Sequence, residues 1–224
     1  MARCDDGQTN LGRNAHYRFV PACERDYLAV FVAEIVGEHG YAGLTLEAVA
    51  ERADVPLATV IRNFADVDAA FMGTYEAVMW QLLGKMADRA NSIDDFVEAI
   101  LGTLETFIGC IAAEPALAKL ALVELANLGV DGLRRRDQSF RAVASLLEIA
   151  ADQKLPPDHA DPTKLYISLT FGGIYDIIVE HLREDRVNDL FAMIPDFAYP
   201  LILPYAGTAE ALRQCERRRL AAAL

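Results

Sequence analysis

The 224-residue chain is 53% hydrophobic, with 14 glycines, 9 prolines, 21 lysines and arginines and 33 aspartates and glutamates. That composition excludes a disordered or collagen-like chain and suits one large or two smaller packed domains. The net charge of −12 opposes the basic footprint usual in nucleic-acid binders, but it is a whole-chain sum that leaves room for a local basic patch.

No uninterrupted apolar run reaches the roughly 18 to 20 residues of a membrane span. Met1 to Asp6 lacks the apolar core of a signal peptide, so a cytoplasmic protein without a membrane partner is expected. Cys4, Cys23, Cys110 and Cys215 are far apart and show no paired spacing, which points to reduced thiols and to neither a metal site nor a cofactor.

Residues 1–22 mix Gly, Asn, Arg and Asp without periodicity and read as an N-terminal arm, given a slight positive balance by Arg3, Arg13, His16 and Arg18. From Glu24 to His39 the spacing of Leu28, Phe31, Val32, Ile35 and Val36 predicts a helix with one buried face, ended by Gly40. Thr45 stands where an N-cap belongs, with Glu47 in the following turn and Leu46, Val49 and Ala50 facing inward. Asp54-Val55 predicts a turn, and Pro56 suits the first turn of the next helix, which carries Thr59 to Phe64. Two short helices joined by a tight turn and braced by a third form a helix-turn-helix pattern.

A longer helix is predicted from Val67 through Met86, linking this unit to the rest. Further helices are expected over about 93–113, 115–128, 137–152, 161–184 and 187–203, separated by Pro115, the Gly129 to Arg136 segment, Pro156-Pro157 and the charges of 183–186. Thr208 to Leu224 could add a last helix, with Arg217, Arg218 and Arg219 near its C-terminal end. The fold class is all-α: an arm (1–22), a helix-turn-helix domain (23–66) and a larger helical domain (67–224).

The segment from Gly40 to Phe71, GYAGLTLEAVAERADVPLATVIRNFADVDAAF, resembles the N-terminal signature of the TetR family of bacterial transcriptional regulators. The glycine-tyrosine corner, the threonine cap, the alanine-rich second helix and the phenylalanine closing the recognition helix are in register with it. The resemblance implies a homodimeric, ligand-responsive repressor that places a recognition helix of each subunit in the major groove of double-stranded DNA, over a pseudo-palindromic operator. It implies phosphate contact by Thr45 and DNA contact by Thr59, Arg62 and Asn63. Arg62 could meet guanine or phosphate, and Asn63 adenine or the backbone. As a bare helix-surface residue Arg62 is equally a solvated charge, and Thr45 serves as a cap without DNA.

The sequence departs from that pattern at Asp54, where glycine is usual, at Pro56 in place of serine, and at Leu57 where a basic residue is common. Ile61 and Val67 replace a tyrosine and a lysine that contact phosphate in the family. Between Glu24 and Phe71 nine carboxylates face three arginines, a net charge near −6. A TetR-like protein that has lost DNA binding and acts as a small-molecule-binding or catalytic protein is therefore the alternative.

An unknown small-molecule effector is expected among the helices of the second domain, with Trp80, Phe107, Cys110, Tyr166, Phe171, Tyr175, Asp176 and His181 as candidate lining residues; each is otherwise a packed core or interface residue. Gly172-Gly173 inside a helical pattern suggests close helix approach and resembles the family's dimerisation helix. No catalytic residue is assigned. The one rival constellation sets His181 beside Glu180, Asp176 and Tyr175, in the manner of a carboxylate-oriented general base.

Overall fold

The computed structural model describes residues 17–159 and 161–222, so Arg3, Cys4, Arg13 and His16 of the expected arm lie outside the described residues. The described residues are helical and include no strand. Helix α1 (Glu24–His39) buries Leu28, Ala29, Val32, Ala33, Ile35 and Val36. It ends at Gly40, whose N–H still bonds the Val36 carbonyl at 2.9 Å and whose φ of 68° then turns the chain out of the helix. Helix α2 (Leu46–Arg52) begins with the Ala48 N–H donating to Thr45 Oγ1 at 3.0 Å, the predicted cap.

The turn after α2 passes through Asp54 at φ 54° and is closed by the Val55 N–H on the Ala50 carbonyl, 3.0 Å. This left-handed position is the physical reason glycine suits it, and aspartate is among the residues that tolerate it. Helix α3 (Leu57–Asn63) starts one residue later than the sequence suggests. Pro56 keeps ψ at 140°, so it is the cap and accepts the Thr59 N–H at 2.8 Å.

Helix α4 (Val67–Asn91) is capped by Asp66 and long enough to serve both halves of the chain. Its first turns place Phe71 and Tyr75 in a core formed with Leu28, Val32, Val60 and Phe64, to which Leu117, Leu120 and Leu125 from further along the chain also contribute. Helix α5 (Phe96–Ala113) centres a second core with Leu147, Ile174, Ile178, Leu182 and Phe197.

By length and composition alone Phe96–Ala113 and Val187–Leu220 are apolar enough to cross a bilayer, but most of the first is buried within the chain. The α5 carboxylates Glu98 and Glu105 pair with Arg218 at 2.6 and 2.9 Å. These features describe α5 as a core helix.

The helix expected over 115–128 is realised as α6 (Pro115–Ala118), a π turn (Lys119–Val123) and a 3-10 turn (Glu124–Leu128). The Gly129 to Arg136 segment, expected to separate helices, is instead the start of helix α7 (Gly129–Lys154). Its glycines have other duties. Gly129, at φ 64°, redirects the chain, and a Cβ on Gly132 would lie 1.9 Å from the Leu125 carbonyl oxygen.

Helix α8 (Lys164–Arg183) is capped by Thr163. The two helices expected after it appear as a 3-10 turn (Val187–Phe191) and α9 (Ile194–Ala222), broken at Gly207 where φ is 76°.

Candidate DNA-facing helix and effector cavity

Thr45 is exposed at the head of α2, and Thr59, Arg62 and Asn63 lie on α3 with Arg62 exposed and the other two half-buried. Helix α1 reaches across to them. Arg62 Nη2 lies 2.7 Å from Glu24 Oε2, and Asn63 Nδ2 meets the Thr59 carbonyl at 2.9 Å. The hydrogen bond from Arg62 holds the Glu24 carboxyl below its ordinary pKa.

The unit's other two arginines are likewise engaged. Arg52 makes a two-pronged contact with Glu38 at 3.0 and 2.7 Å, and the Arg25 guanidinium lies 5.4 Å above the Phe64 ring. The tyrosine of the glycine-tyrosine corner bonds through its hydroxyl to Asp68, which pushes the Tyr41 pKa up to about 12.

In the second half, Phe107, Phe171 and Tyr175 meet around a cavity of about 90 Å³, closed by Tyr75, Met79 and Met86 of α4 and by Arg136 and Phe140 of α7. Two smaller voids of about 50 Å³ adjoin it. One shares Met79, Leu82, Phe107 and Leu122 and lies beneath Tyr17 and Phe19; the other shares Met86, Leu104, Val143 and Phe171. Outside lies a groove of about 510 Å³ whose walls include Arg136, Asp137, Arg141, Tyr175 and Asp176.

Arg136 stands on the boundary between cavity and groove. Its guanidinium is 5.6 Å from the Phe140 ring centre and 5.7 Å from that of Tyr175, and 3.2 Å from Asp137. Two tyrosines tie the walls together, Tyr75 to Ser139 and Tyr175 to the Leu122 carbonyl, and burial raises both phenol pKa values.

Of the other effector candidates, Cys110 lines the void beneath Tyr17, its thiol pKa raised by burial, and Asp176 lines the outer groove. Trp80 is 78% exposed and lines none of these spaces. Tyr166 instead bonds the Pro200 carbonyl at 2.7 Å and joins α8 to α9. His181 is buried with Nδ1 2.8 Å from the Ile177 carbonyl, while Asp176 and Glu180 are exposed, so the acid-base constellation is not assembled.

Sequence reasoning missed Arg136, Phe140, Tyr75 and Ser139. Arg136 and Phe140 have the i, i+4 spacing of one helix face, a signal hidden by reading 129–136 as a separator.

No family model and no curated protein matches the chain. Solved structures do. The fatty acid degradation regulator FadR of Bacillus halodurans superposes with a TM-score of 0.71 at 18% identity, over 82% of this chain and 96% of that one. The FadR regulator of Bacillus subtilis, solved in complex with stearoyl-CoA, gives 0.68 at 17% identity, over 81% and 97%. A TetR family regulator from Marinobacter aquaeolei gives 0.57 at 18% identity, over 84% and 97%. At such identities the likeness speaks for architecture, which agrees with the capped helix-turn-helix and the long α4 described above: the chain has the all-α fold of the TetR family of transcription regulators.

Proposed function

We propose that the protein is a ligand-responsive transcription regulator of the TetR type, a homodimer working in the cytoplasm on a pseudo-palindromic operator. Residues 23–66 serve DNA binding, and 67–224 serve effector binding and dimerisation. The observation that carries this reading is α4: it packs Phe71 into the helix-turn-helix core and, farther along, supplies Tyr75, Met79, Leu82 and Met86 to the cavity wall. A ligand that parts the cavity walls acts on the same rigid helix that supports α2 and α3, which is how differential affinity for two arrangements becomes release or capture of DNA. Leu165 and Leu169 on α8, both more than two-thirds exposed, and the open space at Gly172 and Gly173 support a subunit contact along that helix.

The effector we infer is an amphipathic molecule with a long apolar chain and an anionic head, in keeping with the stearoyl-CoA bound by the Bacillus subtilis neighbour. The cavity is nearly all apolar, and Arg136 stands at its rim to meet an anion. Ligand pockets are usually about 300–1,000 Å³, so the small separate voids must merge when a chain enters.

The test is fluorescence polarisation of the protein against its own upstream DNA at about 50 and 200 mM salt, where phosphate contacts show themselves. Tight, salt-sensitive binding that Arg62→Ala weakens and an acyl-CoA reverses is the expected result. One observation favours the rival, DNA-free reading: Glu24 already occupies Arg62, and Asn63 spends its amide on the Thr59 carbonyl. Absence of binding to upstream and genomic DNA even at low salt would overturn the regulator in favour of that reading.

A further inference from the structure

The segment before α1 lies across the second half of the chain. The Val20 N–H donates to Gln81 Oε1 at 2.9 Å, and Gln81 Nε2 returns a bond to the Val20 carbonyl at 2.8 Å. Lys85 donates to the Arg18 carbonyl, and Phe19, Lys85 and the half-buried Glu114 line one space. The Tyr17 ring is seated on the backbone of α5 at Gly109, so closely that a Cβ there would come within 2.8 Å of it. Tyr17 and Phe19 thereby cover one of the small voids, which shares Met79, Leu82 and Phe107 with the main cavity.

From this geometry we infer that Tyr17 and Phe19 form the movable end wall of the effector cavity and set how long an apolar chain the protein accepts. The inference rests on the effector reading above. A chain whose head is at Arg136 runs through the cavity between Tyr75 and Phe107 toward the void under the strap. Up to that wall each added methylene is buried and raises affinity roughly fourfold. Beyond it, further carbons gain nothing unless the two aromatic rings move and the paired amide bonds of Gln81 with Val20 open. Because α1 starts at Glu24, only a few residues after Val20, such a displacement pulls directly on the helix-turn-helix core, into which Phe19 also packs.

The test compares octanoyl-, lauroyl-, palmitoyl- and stearoyl-CoA by calorimetry on the full chain, as wild type, Phe19→Ala and Gly109→Ala. The second variant keeps Phe19 and adds a better helix former in α5 while its Cβ expels the Tyr17 ring, so it retains the fold if truncating Phe19 weakens it. The expected result is a wild-type affinity that rises with chain length and then levels, with both variants continuing to gain, more than tenfold for two further methylenes. Amide exchange at Val20 should also quicken when the longest chain is bound. Wild-type binding with the same levelling point in both variants would overturn the end-wall inference alone. A wild-type protein that binds none of the four thioesters would bring down the effector reading and the end wall with it.

Discussion

The two halves of the chain are packed to different ends. Around α1 to α3 the inward positions are filled, with Phe64, Phe71, Val60 and Leu28 essentially excluded from solvent and the three arginines held by Glu24, Glu38 and an aromatic ring. Between α4, α5, α7 and α8 the apolar surfaces leave voids that adjoin one another. Protein interiors normally pack as densely as organic crystals, and each unfilled void sacrifices contact energy. The contrast teaches that one chain can fill the core of its first unit while leaving the apolar surfaces of the second short of full packing.

The largest effect that would sharpen this contrast is in the filled core. Phe71→Ala should lower stability by about 3–5 kcal/mol, whereas Phe171→Ala, half-buried beside an existing void, should cost clearly less in the same denaturant titration. Equal losses would break the comparison. Next comes the cavity rim: Arg136→Ala should weaken binding of an anionic acyl ligand roughly tenfold to hundredfold in calorimetry and leave binding of an uncharged alkyl analogue nearly unchanged.

A milder change probes the void itself. Val143→Phe, filling space between two adjoining cavities, should raise the midpoint of thermal unfolding by an amount worth about 0.5–2 kcal/mol while abolishing the effector response. Destabilisation by overpacking would mean the void is not available in the folded state.

The smallest effect concerns Glu24. Glu24→Gln frees Arg62, so operator binding should tighten and its salt dependence steepen by about 0.9 per subunit in a log–log plot. The same contact has a pH signature. Because Glu24 titrates below its ordinary pKa when folded, its contribution to stability is present above the ordinary carboxylate range and is lost as pH falls through the lowered value. That acidic limb should be shallower in melting curves of Glu24→Gln.

Much of the helix-turn-helix unit was legible because its signals are local. A threonine cap, a glycine at a left-handed helix end and apolar residues at helical spacing act within one or two turns, and Thr45, Gly40 and the α1 stripe stand as their chemistry predicts. Local signals also misled. Gly129 and Gly132 read as a linker, although one redirects the chain at a positive φ and the other admits a carbonyl oxygen against the helix.

The effector candidates divide for a related reason. Phe107, Phe171 and Tyr175 share a cavity and Cys110 and Asp176 adjoin it, while Trp80 faces solvent and Tyr166 and His181 spend their polar atoms on backbone carbonyls. Residue type alone does not say which face of a helix looks inward.

By itself the sequence determined the helical class, the caps, the helix-turn-helix and the acidity of its surface, since these follow from spacing and composition along the chain. Only the tertiary structure decided that Glu24 engages Arg62 of α3, that Arg136 stands between cavity and groove, and that Tyr17 and Phe19 cover the adjoining void. Those contacts join residues separated by tens of positions, and their partners are selected by the packing of helices that no local pattern encodes.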